Sequence, residues 1–198
     1  PDEISDEHAC FTVIGSIGLQ GIRLLKPMYG ETYIVLGLGL IGLISIQILK
    51  SNGCNVIGFD IDDEKIKIAN ALGIESYNSE KIDVIQFSNN LTNNHGVDGV
   101  LITASSKSNQ LVKTASQACR KRGKIVLTGV IGLNLDRSDF YEKEISFQVS
   151  CSYGPGRYDK SYEIDGVDYP LPFVRWTTKR NFETILNSLK KNEINVEP

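Results

Sequence analysis

Gly37-Leu38-Gly39-Leu40-Ile41-Gly42 spaces three glycines as G-x-G-x-x-G, a pattern that bares backbone donors to a diphosphate. Short glycine motifs arise by chance, so the surroundings decide. Here the motif directly follows the apolar run Tyr33 to Leu36 and opens a helical pattern. An acid, Asp60, ends the next strand eighteen positions after Gly42. Gly37 permits the tight strand-to-helix turn. Gly39 lets a pyrophosphate approach the backbone, and Gly42 lets the helix pack close to the sheet. The amides of Leu40 and Ile41 then point at phosphate oxygens, aided by a helix dipole worth on the order of 1 kcal/mol. Asp60 is placed to accept both ribose hydroxyls, and it would meet an added 2′-phosphate with like charge. Ile61, Asp62 and Asp63 offer no arginine to neutralise that phosphate, so the pattern selects NAD over NADP. The bland alternatives are a tight turn without ligand for the glycines, and helix capping for Asp62 and Asp63.

Such a loop needs a parallel sheet to hold it. Residues 5 to 26 read as a helix broken near Gly15, capped by Ser5 and stopped by Pro27 and Gly30. Strand and helix patterns then alternate. Strands are expected at Tyr33–Leu36, Asn55–Asp60, Glu75–Tyr77, Val97–Thr103, Lys124–Gly129 and Glu144–Ser150. Helices are expected at Leu40–Ser51, Glu64–Leu72, Ile82–Asn93, Ser108–Lys121 and Lys179–Lys190. In the last strand Ile145, Phe147 and Val149 point inward, with Ser146, Gln148 and Ser150 outward. This is an α/β chain with a Rossmann, doubly wound, parallel six-stranded sheet of order 3-2-1-4-5-6 and helices on both faces. It divides into a connector helix (1–30), a dinucleotide-binding domain (31–150) and an aromatic-rich extension with a C-terminal helix (151–198).

The totals narrow the partners. A net charge of −3 and a pI near 5.5 give no case for nucleic acid or an anionic membrane. The longest apolar stretch, Tyr33 to Leu49, is interrupted by glycines and polar residues, so no membrane span is expected. Cys10, Cys54, Cys119 and Cys151 form no close pair, which fits free thiols in a cytoplasmic chain and argues against zinc held with His8 or His95. The chain opens on Pro1 with its single methionine at Met28, as a piece of a longer protein would.

Gly37 to Gly42, Asn55 to Asp60 with Lys65, the Gly96-Val97-Asp98 turn and Gly123-Lys124 occur in an order that resembles the nucleotide-binding domain of the zinc-type medium-chain alcohol dehydrogenase superfamily. The resemblance covers about Asp6 to Ser150. Ser152 to Asp159, with Tyr169-Pro170 and Val174-Arg175-Trp176, resembles a narrower group of bi-domain oxidoreductases fused to a glucose-fructose-oxidoreductase-like half. The resemblance implies that Lys65 contacts the adenosine ribose beside Asp60, unless it is simply a solvated helix lysine. It implies that the backbone of Gly129-Val130-Ile131 meets the nicotinamide carboxamide. It also implies that strand 144–150 pairs across a homodimer, and an exposed edge strand invites such pairing on physical grounds too. The resemblance further implies that zinc ligands and a proton relay sit in a separate preceding domain, with the helix from Ser5 as the connector to it.

The expectation is therefore an NAD(H)-holding domain of an oxidoreductase. It would serve hydride transfer between nicotinamide and a hydroxyl or carbonyl carbon of a small substrate, such as a sugar or sugar-nucleotide, and be inactive by itself. A non-catalytic NAD-sensing module is the alternative. An S-adenosylmethionine methyltransferase fits less well, because Val35 and Leu36 stand where those sites want an acid.

Overall fold

Ser5 accepts a hydrogen bond from the His8 amide at 3.3 Å and so starts α1 (Asp6–Ala9). The computed structural model describes residues 3–197; Pro1, Asp2 and Pro198, at the outer ends of the expected connector and extension, lie outside the described residues. The break expected at Gly15 falls earlier, at Cys10-Phe11, and α2 runs unbroken over Thr12–Leu25. Gly15 serves packing instead: a Cβ there would stand 2.9 Å from the Ile185 side chain. Together these two helices make Asp6–Leu25, by length and composition, apolar enough to cross a membrane, a stretch that the focus on Tyr33 to Leu49 passes over. Half of it is buried inside the fold, where Leu19, Ile22 and Leu25 belong to the core.

From there strand and crossover helix alternate: β1 (Thr32–Leu36), α3 (Leu40–Ser51), β2 (Asn55–Asp60), α4 (Asp63–Ala71) and β3 (Ser76–Asn78). The second half follows as α5 (Val84–Leu91), β4 (Val97–Ile102), α6 (Gln110–Ala118), β5 (Cys119–Leu127), α7 (Ser138–Tyr141) and β6 (Ser146–Val149). All six strands are parallel, in the order β3-β2-β1-β4-β5-β6. The doubly wound Rossmann arrangement is therefore present. Period-two alternation divides the core: Tyr33 and Val35 pack with α2, α3 and α4, while Ile34 and Leu36 pack with α5 and α6. Every β1 residue from Tyr33 onward is 3% exposed or less, as a central strand covered on both faces must be.

The largest shift from the expected boundaries falls at the junction of α6 and β5. Helix α6 ends at Ala118 rather than Lys121, and β5 begins at Cys119 rather than Lys124. Ala118 and Cys119 are both fully buried, and Lys143 Nζ donates to the carbonyls of Ser116, Gln117 and Cys119, closing the helix there. A bulge absorbs the surplus: Cys119 pairs with Val97, but Lys124 already pairs with Gly99. The edge strand spans Ser146–Val149, not 144–150. Its inward alternation holds for Ile145 and Phe147, which pack on the core, and fails at Val149, which is 52% exposed at the end of this edge strand.

After β6, the segment through Trp176 folds back around one short helix, α8 (Lys160–Glu163), whose N-cap Asp159 also accepts from the Tyr169 hydroxyl. Tyr162 stacks on Tyr169 with ring centroids 5.7 Å apart. Helix α9 (Thr178–Lys190) then packs on α2, burying Ile185 and Leu189 against Leu19 and Ile44.

The four thiols divide by burial. Cys54 and Cys119 are buried, Cys10 and Cys151 exposed. Desolvation pushes the Cys119 thiol up to about 12 and raises Cys54 as well, so both stay protonated near neutrality and inert. A thiol-counting reagent such as Ellman's reagent at pH 8 should modify Cys10 and Cys151 in the native protein, and Cys54 and Cys119 only after denaturation. Rapid native labelling of Cys119, located by peptide mass, would contradict this burial.

Candidate functional site: a cleft at the strand-order reversal

The strand order reverses between β1 and β4, and their outgoing loops separate there, leaving a crevice at the C-terminal ends of the strands. A cleft of about 860 Å³ occupies that position, within the range of small-molecule sites. Leu36, Gly37 and Gly39 form its floor. Gly37 takes φ +100°, and a Cβ on it would stand 2.5 Å from the Ala104 amide nitrogen, so the β1 and β4 loops approach backbone to backbone. A Cβ on Gly42 would stand 2.0 Å from the Gly37 carbonyl oxygen, which fixes the first turn of α3 against the loop. Gly39 is different: beyond its neighbours along the chain, no atom lies within 4 Å of where its Cβ would be. That open face belongs to the cleft.

Gly39 is also the N-cap of α3, and it has no side chain to cap with. Among the described residues the amides of Gly39, Leu40, Ile41 and Gly42 find no acceptor. These four donors, with the positive end of the helix dipole, suit an anion; Gly39 lines the cleft, whereas Leu40, Ile41 and Gly42 stand beside it without lining it.

Asp60 lines the same cleft and is 9% exposed. Its Oδ2 accepts from the Leu38 amide at 2.6 Å, and its Oδ1 accepts from Ile61 and Asp62 amides at 2.8 and 3.0 Å. The carboxylate thus organises the glycine loop, and Oδ2 keeps one acceptor position without a donor among the described residues. Lys65 Nζ stands 3.8 Å from Asp60 Oδ1 and 3.6 Å from Asp62 Oδ2, so the lysine and the acid are neighbours at the rim. Asp62 caps α4 through the Glu64 amide. Asp63 accepts from Asn78 and Lys81 instead, and those bonds hold its carboxyl below the usual carboxylate range.

Gly129, Val130 and Ile131 follow β5 and meet the β4 loop. The Val130 amide donates to Ala104 and its carbonyl accepts from Ser106, so its own backbone is committed. The three residues do not line the cleft itself. Sequence reasoning passed over the opposite wall, Thr103 to Ser106 with Ser108. Thr103 Oγ1 donates to the Leu36 and Gly37 carbonyls at 3.2 and 2.5 Å, pinning the glycine loop. The signal was available: once β1 and β4 are neighbours with diverging crossovers, the loop after β4 must face the glycine loop. Beyond Asp60 the cleft runs on between Val84, Ile85 and Leu111, a slot with apolar walls and Glu80 and Asp83 at its mouth.

Residues 41–164, well over half of the chain, match the family model described as zinc-binding dehydrogenase. The chain belongs to that family. This zinc-binding dehydrogenase chain is 26% identical over 167 residues to a sorbitol dehydrogenase of Bacillus subtilis, covering 82% of this chain and 45% of that protein. An alcohol dehydrogenase of Thermus sp. ATN1 superposes with a TM-score of 0.79 at 19% identity, over 98% of this chain and 50% of that one. An alcohol dehydrogenase of Escherichia coli CFT073, solved with NADH, superposes with a TM-score of 0.75 at 20% identity, over 98% and 51%. The chain thus spans about half the length of these relatives. Among the described residues no three His, Cys, Asp or Glu side chains come together as a metal site, so the residues present do not fit zinc.

Proposed function

We propose that this chain holds NAD(H) in the β1–β4 cleft, as the cofactor half of an oxidoreductase that transfers hydride to or from a hydroxyl or carbonyl carbon. The carrying observation is the row of four amides without an acceptor among the described residues at the start of α3, whose first member, Gly39, lines a cleft that Asp60 lines too. In this reading Leu40 and Ile41 donate to the diphosphate beside Gly39. Asp60 takes one adenosine ribose hydroxyl on its open Oδ2 position, and Lys65 donates to the other. The adenine enters the slot between Val84, Ile85 and Leu111. Towards β5, the Gly129 carbonyl and the Ile131 amide have no partner among the described residues, an acceptor and a donor of the kind a carboxamide needs. Bound NAD supplies the hydride acceptor; the protein supplies position and excludes water.

The substrate, zinc and proton relay are assigned to a separate domain reached through residues 1–30, with residues 31–150 binding cofactor and 151–198 forming the extension. A glucose-fructose-oxidoreductase-like partner half and a sugar-type substrate belong to the same proposal, as does a cytoplasmic homodimer formed through β6, whose outer edge is unpaired among the described residues. The cleft's ionisable groups are Asp60, Glu80, Asp83 and Lys65, with no histidine, cysteine or tyrosine among its lining residues. A purely NAD-sensing role is the second reading, and hydride transfer by the full-length protein decides between them.

Cofactor choice gives a direct test. A 2′-phosphate would enter beside Asp60 and Asp62, with Lys65 already shared between them. Fluorescence titration should show NADH binding at least about tenfold tighter than NADPH, some 1.4 kcal/mol. Asp60→Ser should narrow that gap by weakening NADH. Tighter binding of NADPH by the unmodified protein would overturn the assignment of Asp60.

A further inference from the structure

On the far side of α2 from the cleft, two arginines enclose the chain's only tryptophan. The Arg23 guanidinium carbon lies 3.3 Å from the Trp176 ring centroid and that of Arg175 lies 3.8 Å from it. At such distances both groups must stack, and they cannot share one face, so the indole is sandwiched. Arg23 is half-buried. Its Nε donates to Asn181 Oδ1 at 2.8 Å and one terminal nitrogen donates to Thr184 Oγ1 at 3.4 Å. A guanidinium carries five N–H donors, so about three of them lack a protein partner among the described residues. Neither arginine forms an ion pair among the described residues.

Burial, and then the neighbouring Arg175 charge, bring the Arg23 guanidinium down to about 10, which marks it as a desolvated and uncompensated cation. Unpaired charge of this kind is costly to keep. Beside it opens a second pocket of about 440 Å³, where Leu19, Ile22, Ile48 and Ile194 supply an aliphatic wall. The acid on its rim, Glu193, is held by the Ser188 hydroxyl at 2.9 Å and stands 3.9 Å from Lys191.

We propose that this pocket is a second ligand site, separate from the dinucleotide cleft, which takes a small aliphatic carboxylate. The head group lies on the free edge of the Arg23 guanidinium, and the hydrocarbon body lies against the leucine and isoleucine wall. The Arg175 charge behind the indole raises the attraction for an anion. The Asn181 and Thr184 bonds hold the guanidinium in place, so the site is formed before the ligand arrives.

Trp176, as the single tryptophan, reports on this pocket directly. The protein is titrated with cyclohexanecarboxylate, with its neutral counterpart cyclohexylmethanol and with inorganic phosphate, following tryptophan fluorescence. The expected result is a saturable change with the carboxylate that weakens as salt is raised. Arg23→Gln should weaken it at least about tenfold, as loss of a charge-assisted bond does. Should that variant fail to fold, Arg175→Gln, on the exposed side of the ring, should weaken it several-fold and flatten the salt dependence. Absence of saturation with the carboxylate, equal binding of the alcohol, or an Arg23→Gln variant that binds as before would overturn the proposal. Phosphate binding as tightly as the carboxylate would overturn its aliphatic part.

Discussion

Gly39→Ala is expected to leave the fold intact and to weaken NAD binding by about a hundredfold, close to 3 kcal/mol. Beyond its neighbours along the chain the added methyl meets no atom within 4 Å, and φ at this position is −67°, which any residue adopts. Nothing in the folded chain therefore resists the change. The methyl does project into the space from which a diphosphate reaches the amides of Leu40 and Ile41. Pushed outward, the anion loses one or two charge-assisted bonds of about 1.5–3 kcal/mol each. Thermal melts separate the two effects. At 100 times the unmodified protein's dissociation constant, NAD stabilises that protein by about 2.7 kcal/mol; the variant, with its constant a hundredfold weaker, gains only about 0.4 kcal/mol. The two proteins should melt together without ligand and apart with it. A variant that still responds fully to NAD would place the diphosphate elsewhere.

Gly42→Ala, three positions on, should do the reverse. Its methyl would sit 2.0 Å from the Gly37 carbonyl oxygen and 3.0 Å from Thr103 Oγ1, and these two groups are hydrogen-bonded to each other. Relief requires moving the start of α3 away from the β1 turn, backbone against backbone. Overpacking of this sort costs about 3 kcal/mol. For a domain of this size that lowers the melting temperature by roughly 6–12 °C. The comparison of the two alanines is the informative part, because the same substitution in the same motif acts once on the ligand and once on the fold. Equal melting of Gly42→Ala and the unmodified protein would contradict the packing described for the loop.

The sequence carried the motif and the sheet order because both rest on local rules. Glycines are read from where backbone must bend or approach, and Asp60 from its place at a strand end. Ala118-Cys119 was not legible in this way. The apolar spacing of Val112, Ala115 and Ala118 continues a helix, and only burial beside Val97 and the lysine from a later loop turn the chain into β5. Asp60 offers a second lesson. Its type and place were readable, but its grip on the Leu38, Ile61 and Asp62 amides exists only once two loops meet. Val149 looked inward by alternation, yet an edge position left it uncovered. Arg23 was invisible as a feature, an ordinary charge on an apolar helix, until Trp176 folded over it from the far end of the chain.

The amide spectrum of the isotope-labelled protein addresses the glycine-loop assignment most directly. With saturating NAD, the backbone resonances of Gly39, Leu40 and Ile41 should shift most, accompanied by those of the Asp60 to Asp62 turn. If NAD moves none of these amides, or moves only resonances remote from the β1–β4 crevice, the cofactor does not lie on the α3 amides and the proposed site is wrong.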